Sequence, residues 1–220
     1  MSSSKLKILL LGAAGVGKID FVANIIKNRF APNYRLTVGV DILTKDVEFR
    51  PGEIATLSIW DIGGQQRFEF IRSTFFKDPK GVIAIFDVMR AQTYAEIKNW
   101  LTEIRQIAGT NVPFLLIGNT AYLPETKKPA IESNEVREFA NKEGGIYVEA
   151  SPEMIETIND AISELTRRII DTYFLKAIKK AEAYKKPEVN EHHFVIIFWS
   201  LFCIIIILIP LIAFLVAYYL

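Results

Sequence analysis

The chain carries a single cysteine, Cys203, among its 220 residues. One thiol excludes a disulfide framework within the chain and fits a reducing compartment. An excess of charge of either sign is also missing, because 26 Lys and Arg face 25 Asp and Glu for a formal net charge of +1. A phosphodiester-binding surface calls for a basic excess, so no nucleic-acid partner is expected. Internal repeats and long low-complexity tracts are missing as well. In one place charge disappears altogether: residues 194–220 contain no Asp, Glu, Lys or Arg in 27 positions.

As a helix that stretch would be about 40 Å long, more than the ~30 Å hydrocarbon core of a bilayer, so it can span with tilt. Trp199 near one end and Tyr218 and Tyr219 at the other suit the two interfacial belts, and Pro210 permits a kink. Lys176, Lys179, Lys180, Lys185 and Lys186 precede it, and the positive-inside bias puts the N-terminal part on the cytoplasmic side. The expected organisation is a folded domain over 1–175, a basic linker over 176–193 and a single-pass tail anchor over 194–220.

Within the domain, apolar strand-like runs alternate with helical periodicity, the signature of a parallel α/β sheet. Strands are expected over 5–11, 82–88, 112–117 and 145–149. Residues 41–49 and 54–60 flank the turn signal Arg50-Pro51-Gly52-Glu53 and read as a hairpin that adds one antiparallel edge strand. Helices are expected after Gly17, after the capping-box pair Thr93 and Glu96, after Ser133, and from Glu153 through Ile158, Ile162, Leu165 and Ile169.

Residues 12–18 read Gly-Ala-Ala-Gly-Val-Gly-Lys between the first strand and a helix with Ile19, Val22, Ile25 and Ile26 at helical spacing. In the pattern G-x-x-x-x-G-K-[ST] the glycines let successive backbone N–H groups turn onto phosphates, Lys adds a point charge, and the hydroxyl ligates Mg²⁺. Here the cradle and Lys18 are present, and Ile19 stands where the hydroxyl is needed. A signal peptide is the competing reading of this start, but its apolar core is shorter than the usual ~7 to 15 residues.

A second motif, Trp60-Asp61-Ile62-Gly63-Gly64-Gln65-Gln66-Arg67-Phe68, closes a strand and resembles the D-x-x-G-Q segment of Ras-superfamily small GTPases. Arg35-Leu36-Thr37-Val38-Gly39-Val40-Asp41 is similar to their first switch segment. Leu43-Thr44-Lys45 and Phe86-Asp87-Val88 look most like the Rab family, whereas Gly63-Gly64 is similar to the Arf family. The resemblance runs from about residue 5 to 170. It implies the P-loop small-GTPase α/β fold, a mostly parallel six-stranded sheet with helices on both faces. It also implies GTP or GDP with Mg²⁺ as ligand. The nucleotide would then be held by Gly12, Ala13, Ala14, Gly15, Val16, Gly17, Lys18, Thr37, Gly64, Asn119 and Ser151. Thr37 and Asp61 would serve the metal, and Gln65 would orient the attacking water.

Three departures cut against that activity. Ile19 is the first. The guanine-reading N-K-x-D is Asn119-Thr120-Ala121-Tyr122, and Tyr122 cannot offer the bidentate carboxylate acceptor. The supporting S-A-K is Ser151-Pro152-Glu153, in which Pro152 removes a backbone donor and Glu153 reverses the charge. The chain also ends without the cysteines that are prenylated in Rab and Ras proteins. The expected function is a tail-anchored, Rab-like platform with a degenerate nucleotide site. It would recruit an effector through 37–60 and 65–76, with Phe68, Phe70, Phe75 and Phe76 as apolar recognition residues. The alternatives are a working GTPase with unorthodox contacts, supported by residues 12–18, Thr37, Asp61, Gly64 and Gln65, and a P-loop protein for a different nucleotide.

Overall fold

In the computed structural model, residues 5–25, 40–62, 74–108 and 112–184 are described. Thr37, Gly64, Gln65, Phe68, Phe70 and the expected span 194–220 lie outside them. No helix among the described residues is long and apolar enough to cross a membrane. The chain divides into two units, residues 1–173 and 174–220.

The apolar run Leu6–Leu11 forms β1 at the centre of a six-stranded sheet, and its last four residues are buried. Strands β2 (Val40–Arg50), β3 (Glu53–Ile62), β4 (Gly81–Asp87), β5 (Phe114–Asn119) and β6 (Ile146–Ala150) complete it in the order β2-β3-β1-β4-β5-β6. β1 runs parallel to β3 and β4, β4 to β5 and β5 to β6; only β2, at the edge, is antiparallel. The continuous burial of β4 and β5 is what a parallel strand covered on both faces requires. β2 instead alternates, as a half-solvated edge strand does.

Helices α1 (Lys18–Ile25), α2 (Ala91–Ala108), α3 (Ser133–Lys142) and α4 (Ile155–Tyr184) occupy the crossovers and the end of the domain. Ile97, Leu101 and Ile104 of α2 and Ile158, Ile162, Leu165 and Ile169 of α4 are buried at helical spacing. Burial of each such side chain contributes about 1.5–3 kcal/mol. α4 is tied to the β2–β3 hairpin: Ser163 Oγ donates to the Glu48 carbonyl at 2.8 Å, and Arg50 Nη2 meets Asp171 Oδ1 at 2.5 Å.

Two expectations are corrected here. Thr93 is not an N-cap but the third residue of α2; it is buried, its Oγ1 donates to the Arg90 carbonyl at 2.7 Å, and it accepts from Asp87 N at 3.1 Å. Phe76 is fully buried and belongs to the core rather than to a recognition surface. Helix α4 continues through Lys176, Lys179 and Lys180 to Tyr184, into the residues read as the basic linker. Alanine, lysine and glutamate are good helix formers, and the Pro that could break the run comes only at 187.

Gly145 lets β6 begin against the core, since a Cβ there would lie 2.2 Å from Phe114 Cε2 and 2.4 Å from its Cζ. A ring cannot yield as a flexible chain end does. Gly145→Ala is therefore expected to cost about 1–3 kcal/mol by overpacking. Thermal unfolding should show it as a midpoint several degrees lower, with partial recovery when Phe114→Leu is added.

Candidate functional site

β1, β3, β4 and β5 are parallel and end on one side of the sheet, with Leu10 opposite Asp61, Leu11 opposite Ala84, and Asp87 opposite Asn119. The order reverses at β1, and the crevice outside strand ends at such a point is where α/β sheets bind ligands. The loop 12–17 leaves β1 there. Its Gly15 and Gly17 adopt φ of +73° and +84°, the left-handed region that L side chains avoid.

Three consecutive carbonyls of the loop are held from outside. Ala14 O accepts from Arg90 Nη1 at 3.4 Å, Gly15 O from Arg90 Nη2 at 2.8 Å, and Val16 O from Asn119 Nδ2 at 2.9 Å. In a planar trans peptide the next residue's N–H points opposite to the carbonyl. The N–H groups of Gly15, Val16 and Gly17 are thereby turned to the other side, which is the arrangement of an anion-binding nest. Arg90 is itself fixed, because its Nε donates to Asp87 Oδ2 at 2.7 Å while Met89 N donates to Asp87 Oδ1 at 2.9 Å.

Lys18 does not extend into open space. Its Nζ donates to the Ile62 carbonyl at 2.6 Å and pairs with Asp61 Oδ1 at 2.9 Å. Lys18 is 9% exposed and Asp61 0%.

On the base side, Asn119 is fully buried, and Ala121 N donates to its Oδ1 at 2.9 Å, so both ends of its amide are engaged within the chain. Tyr122 is 48% exposed, and its hydroxyl lies 3.3 Å from where a Cβ on Gly17 would stand. The phenol thus reaches the phosphate loop itself. Pro152 O accepts from Asn24 Nδ2 at 2.8 Å, which ties the loop after β6 to α1. The Glu153 carboxyl is held below its ordinary range, chiefly by the hydrogen bond from the Ser151 hydroxyl and then by its own backbone N–H.

The described residues match only part of the ligand group that the sequence implies. The cradle fits phosphate oxygens, for its N–H groups are already aimed. Toward a divalent cation the described residues offer less: residue 19 is an isoleucine with no oxygen to give, and Asp61 Oδ1 lies 2.9 Å from Lys18 Nζ. A carboxylate reader of guanine is missing at position 122. Of the expected site residues, the fold gathers Gly12, Ala13, Ala14, Gly15, Val16, Gly17, Lys18 and Asp61 around the loop, with Asn119 and Ser151 at the ends of β5 and β6. Arg90 escapes the sequence reading; its only local signal is an Asp three residues earlier at the end of a buried strand.

The model of the Ras family matches residues 7–171, and this chain belongs to that family. Within it the chain is a Rab-like small GTPase homologue. It is 30% identical to the Ras-related protein Rab-22A of Homo sapiens over 172 residues, covering 78% of this chain and 87% of that protein. The Rab-22A of Mus musculus shows the same identity and coverage.

Arg90→Ala should release two loop carbonyls while leaving the core intact. Its side chain is 44% exposed, but the Asp87 carboxylate it leaves behind is buried, so the loss of global stability is expected to be about 1–3 kcal/mol. Hydrogen exchange at residues 15–17 should quicken markedly. Arg90→Lys should not restore it, since one ammonium cannot reproduce a fork that serves two carbonyls and a carboxylate.

Proposed function

We propose that this Rab-like protein works as a membrane-held platform, in which a small-GTPase fold recruits a partner protein without a guanine-specific, metal-dependent nucleotide cycle. The observation that carries this reading is Tyr122. At the place of the carboxylate that would read guanine stands a phenol whose hydroxyl reaches Gly17. Leaving guanine's donors unpaired costs about 1–3 kcal/mol for each neutral group, and more for a charged one, so selectivity for that base is lost. Ile19 supports the same conclusion for the metal, because it offers no oxygen to Mg²⁺.

A partner would dock on the β2–β3 side of the domain. Ile42, 57% exposed, stands directly opposite Trp60 in the antiparallel pair, and the Trp60 and Phe75 rings lie 6.2 Å apart. Lys7 Nζ sits 4.3 Å from the Trp60 ring centroid and donates to the carbonyls of Phe75 and Lys77, both at 2.8 Å. The patch is thereby apolar in front and braced from behind, as a recognition surface needs. The charge-free residues 194–220 would hold the chain in a membrane with the domain on the cytoplasmic side. A spanning helix holds essentially irreversibly, so cycling between membrane and solution is not part of this function.

A second reading, a nucleotide-binding and hydrolysing small GTPase, draws its support from the outward-held carbonyls of Ala14, Gly15 and Val16, which keep a phosphate cradle formed. Competition titration separates the two. The wild-type chain is expected to discriminate poorly between GTP and ATP, and Tyr122→Asp with Thr120→Lys should create a preference for guanine. Tight guanine-selective binding by the wild type would favour the second reading.

Membrane attachment has its own test. The full chain should stay with membranes through high salt and alkaline carbonate, and truncation after Lys186 should release it. Retention of the truncated protein would show that residues 194–220 are not the anchor.

A further inference from the structure

The first turn of α1 carries a charge that a phosphate-holding loop does not call for. We infer that Asp20 is an exclusion residue, a built-in carboxylate that bars polyphosphate anions from the cradle of residues 12–17. This rests on the platform reading above and names the side chain that keeps phosphate esters out.

Asp20 is the third residue of α1, and its backbone N–H donates to the Gly17 carbonyl at 3.0 Å. Three polar side-chain atoms converge on Gly17. A Cβ there would stand 2.7 Å from Asn119 Nδ2, 3.3 Å from the Tyr122 hydroxyl and 3.8 Å from Asp20 Oδ2. The carboxylate is thereby folded back from the helix to the last residue of the nest. Asp20 is exposed, so an anion arriving from solvent meets it.

The positive end of a helix and its free N–H groups favour any anion, and an acidic side chain in the first turn is one. A carboxylate held there occupies the field that would otherwise act on a phosphate. The side-chain charges point the same way. Contacts of the loop bring in two cations, Lys18 and Arg90, and each has a carboxylate beside it, Asp61 at 2.9 Å and Asp87 at 2.7 Å. Asp20 makes these two cations against three carboxylates. A triphosphate would set several more negative charges close to Asp20 Oδ2, and like charges at short range repel.

The test titrates tripolyphosphate into the full chain in detergent micelles by calorimetry, with EDTA present so that neither base nor metal takes part. At low salt Asp20→Asn should bind it about tenfold more tightly than the wild type. The gain should shrink severalfold in ~1 M salt, where the Debye length is only about 3 Å. Asp20→Glu keeps the charge and should show no gain. If Asp20→Asn fails to fold, Asp20→Ser makes the same comparison.

A residue that merely supports the start of α1 would lower the melting midpoint on substitution and leave the anion affinity alone. Equal affinity of wild type and Asp20→Asn, undetectable binding by both included, would therefore overturn the inference and leave the platform reading in place. Weaker binding by Asp20→Asn would overturn it too, since the carboxylate would then assist the anion. Tight, guanine-selective binding of GTP by the wild type would overturn both.

Discussion

Backbone groups in a tight loop must find partners, and in the loop 12–17 between β1 and α1 the helix supplies them only to Gly17, whose carbonyl accepts from Asp20 N and Phe21 N. The surrounding fold answers this demand. Arg90, set by Asp87 at the end of β4, takes two carbonyls, and Asn119 at the end of β5 takes the third. The parallel arrangement of β1, β4 and β5 is what brings these side chains to one place, since it puts all their carboxyl ends together. The loop therefore keeps its anion-ready shape by contacts made entirely within the chain. Its lysine, at the head of α1, lies 2.9 Å from Asp61 Oδ1 and donates to the Ile62 carbonyl.

Under the platform reading proposed above, the substitutions share a common logic. A phosphate loop, a switch carboxylate and a base reader serve nucleotide only when they act together, because the metal joins the first two and the base selects what arrives. In the platform reading, Ile19 would leave the metal and phosphate ends uncoupled, and Tyr122 would leave guanine without its carboxylate reader. Lys18 and Asp61 remain opposite charges 2.9 Å apart at the end of a buried sheet. Core architecture survives because it depends on aliphatic burial along β1, β4, β5 and α4, not on the ligand.

Much of the fold is legible in the sequence. Strands β4 and β5 announce themselves as unbroken apolar runs, and the turn Arg50-Pro51-Gly52-Glu53 marks the β2–β3 hairpin and hence the antiparallel edge. Boundaries are less so: β5 begins at Phe114 rather than Val112, since Pro113 has no N–H to give the ladder. Thr93 carries the residue type of a cap, but tertiary contacts with Asp87 and Arg90 place it inside the helix. The loop, Lys18, Asp61 and Asn119 could be read from spacing. Arg90 could not, because its role exists only after β4 has been laid beside β1. The engagement of Lys18 by Asp61 is likewise a property of packing, invisible to residues 43 positions apart in the chain.

The most direct test of a fold completed without nucleotide is the nucleotide content of the full-length protein, purified in detergent with none added and analysed by mass spectrometry after denaturation. Far less than one nucleotide per chain is the predicted result. Stoichiometric GDP or GTP would contradict it.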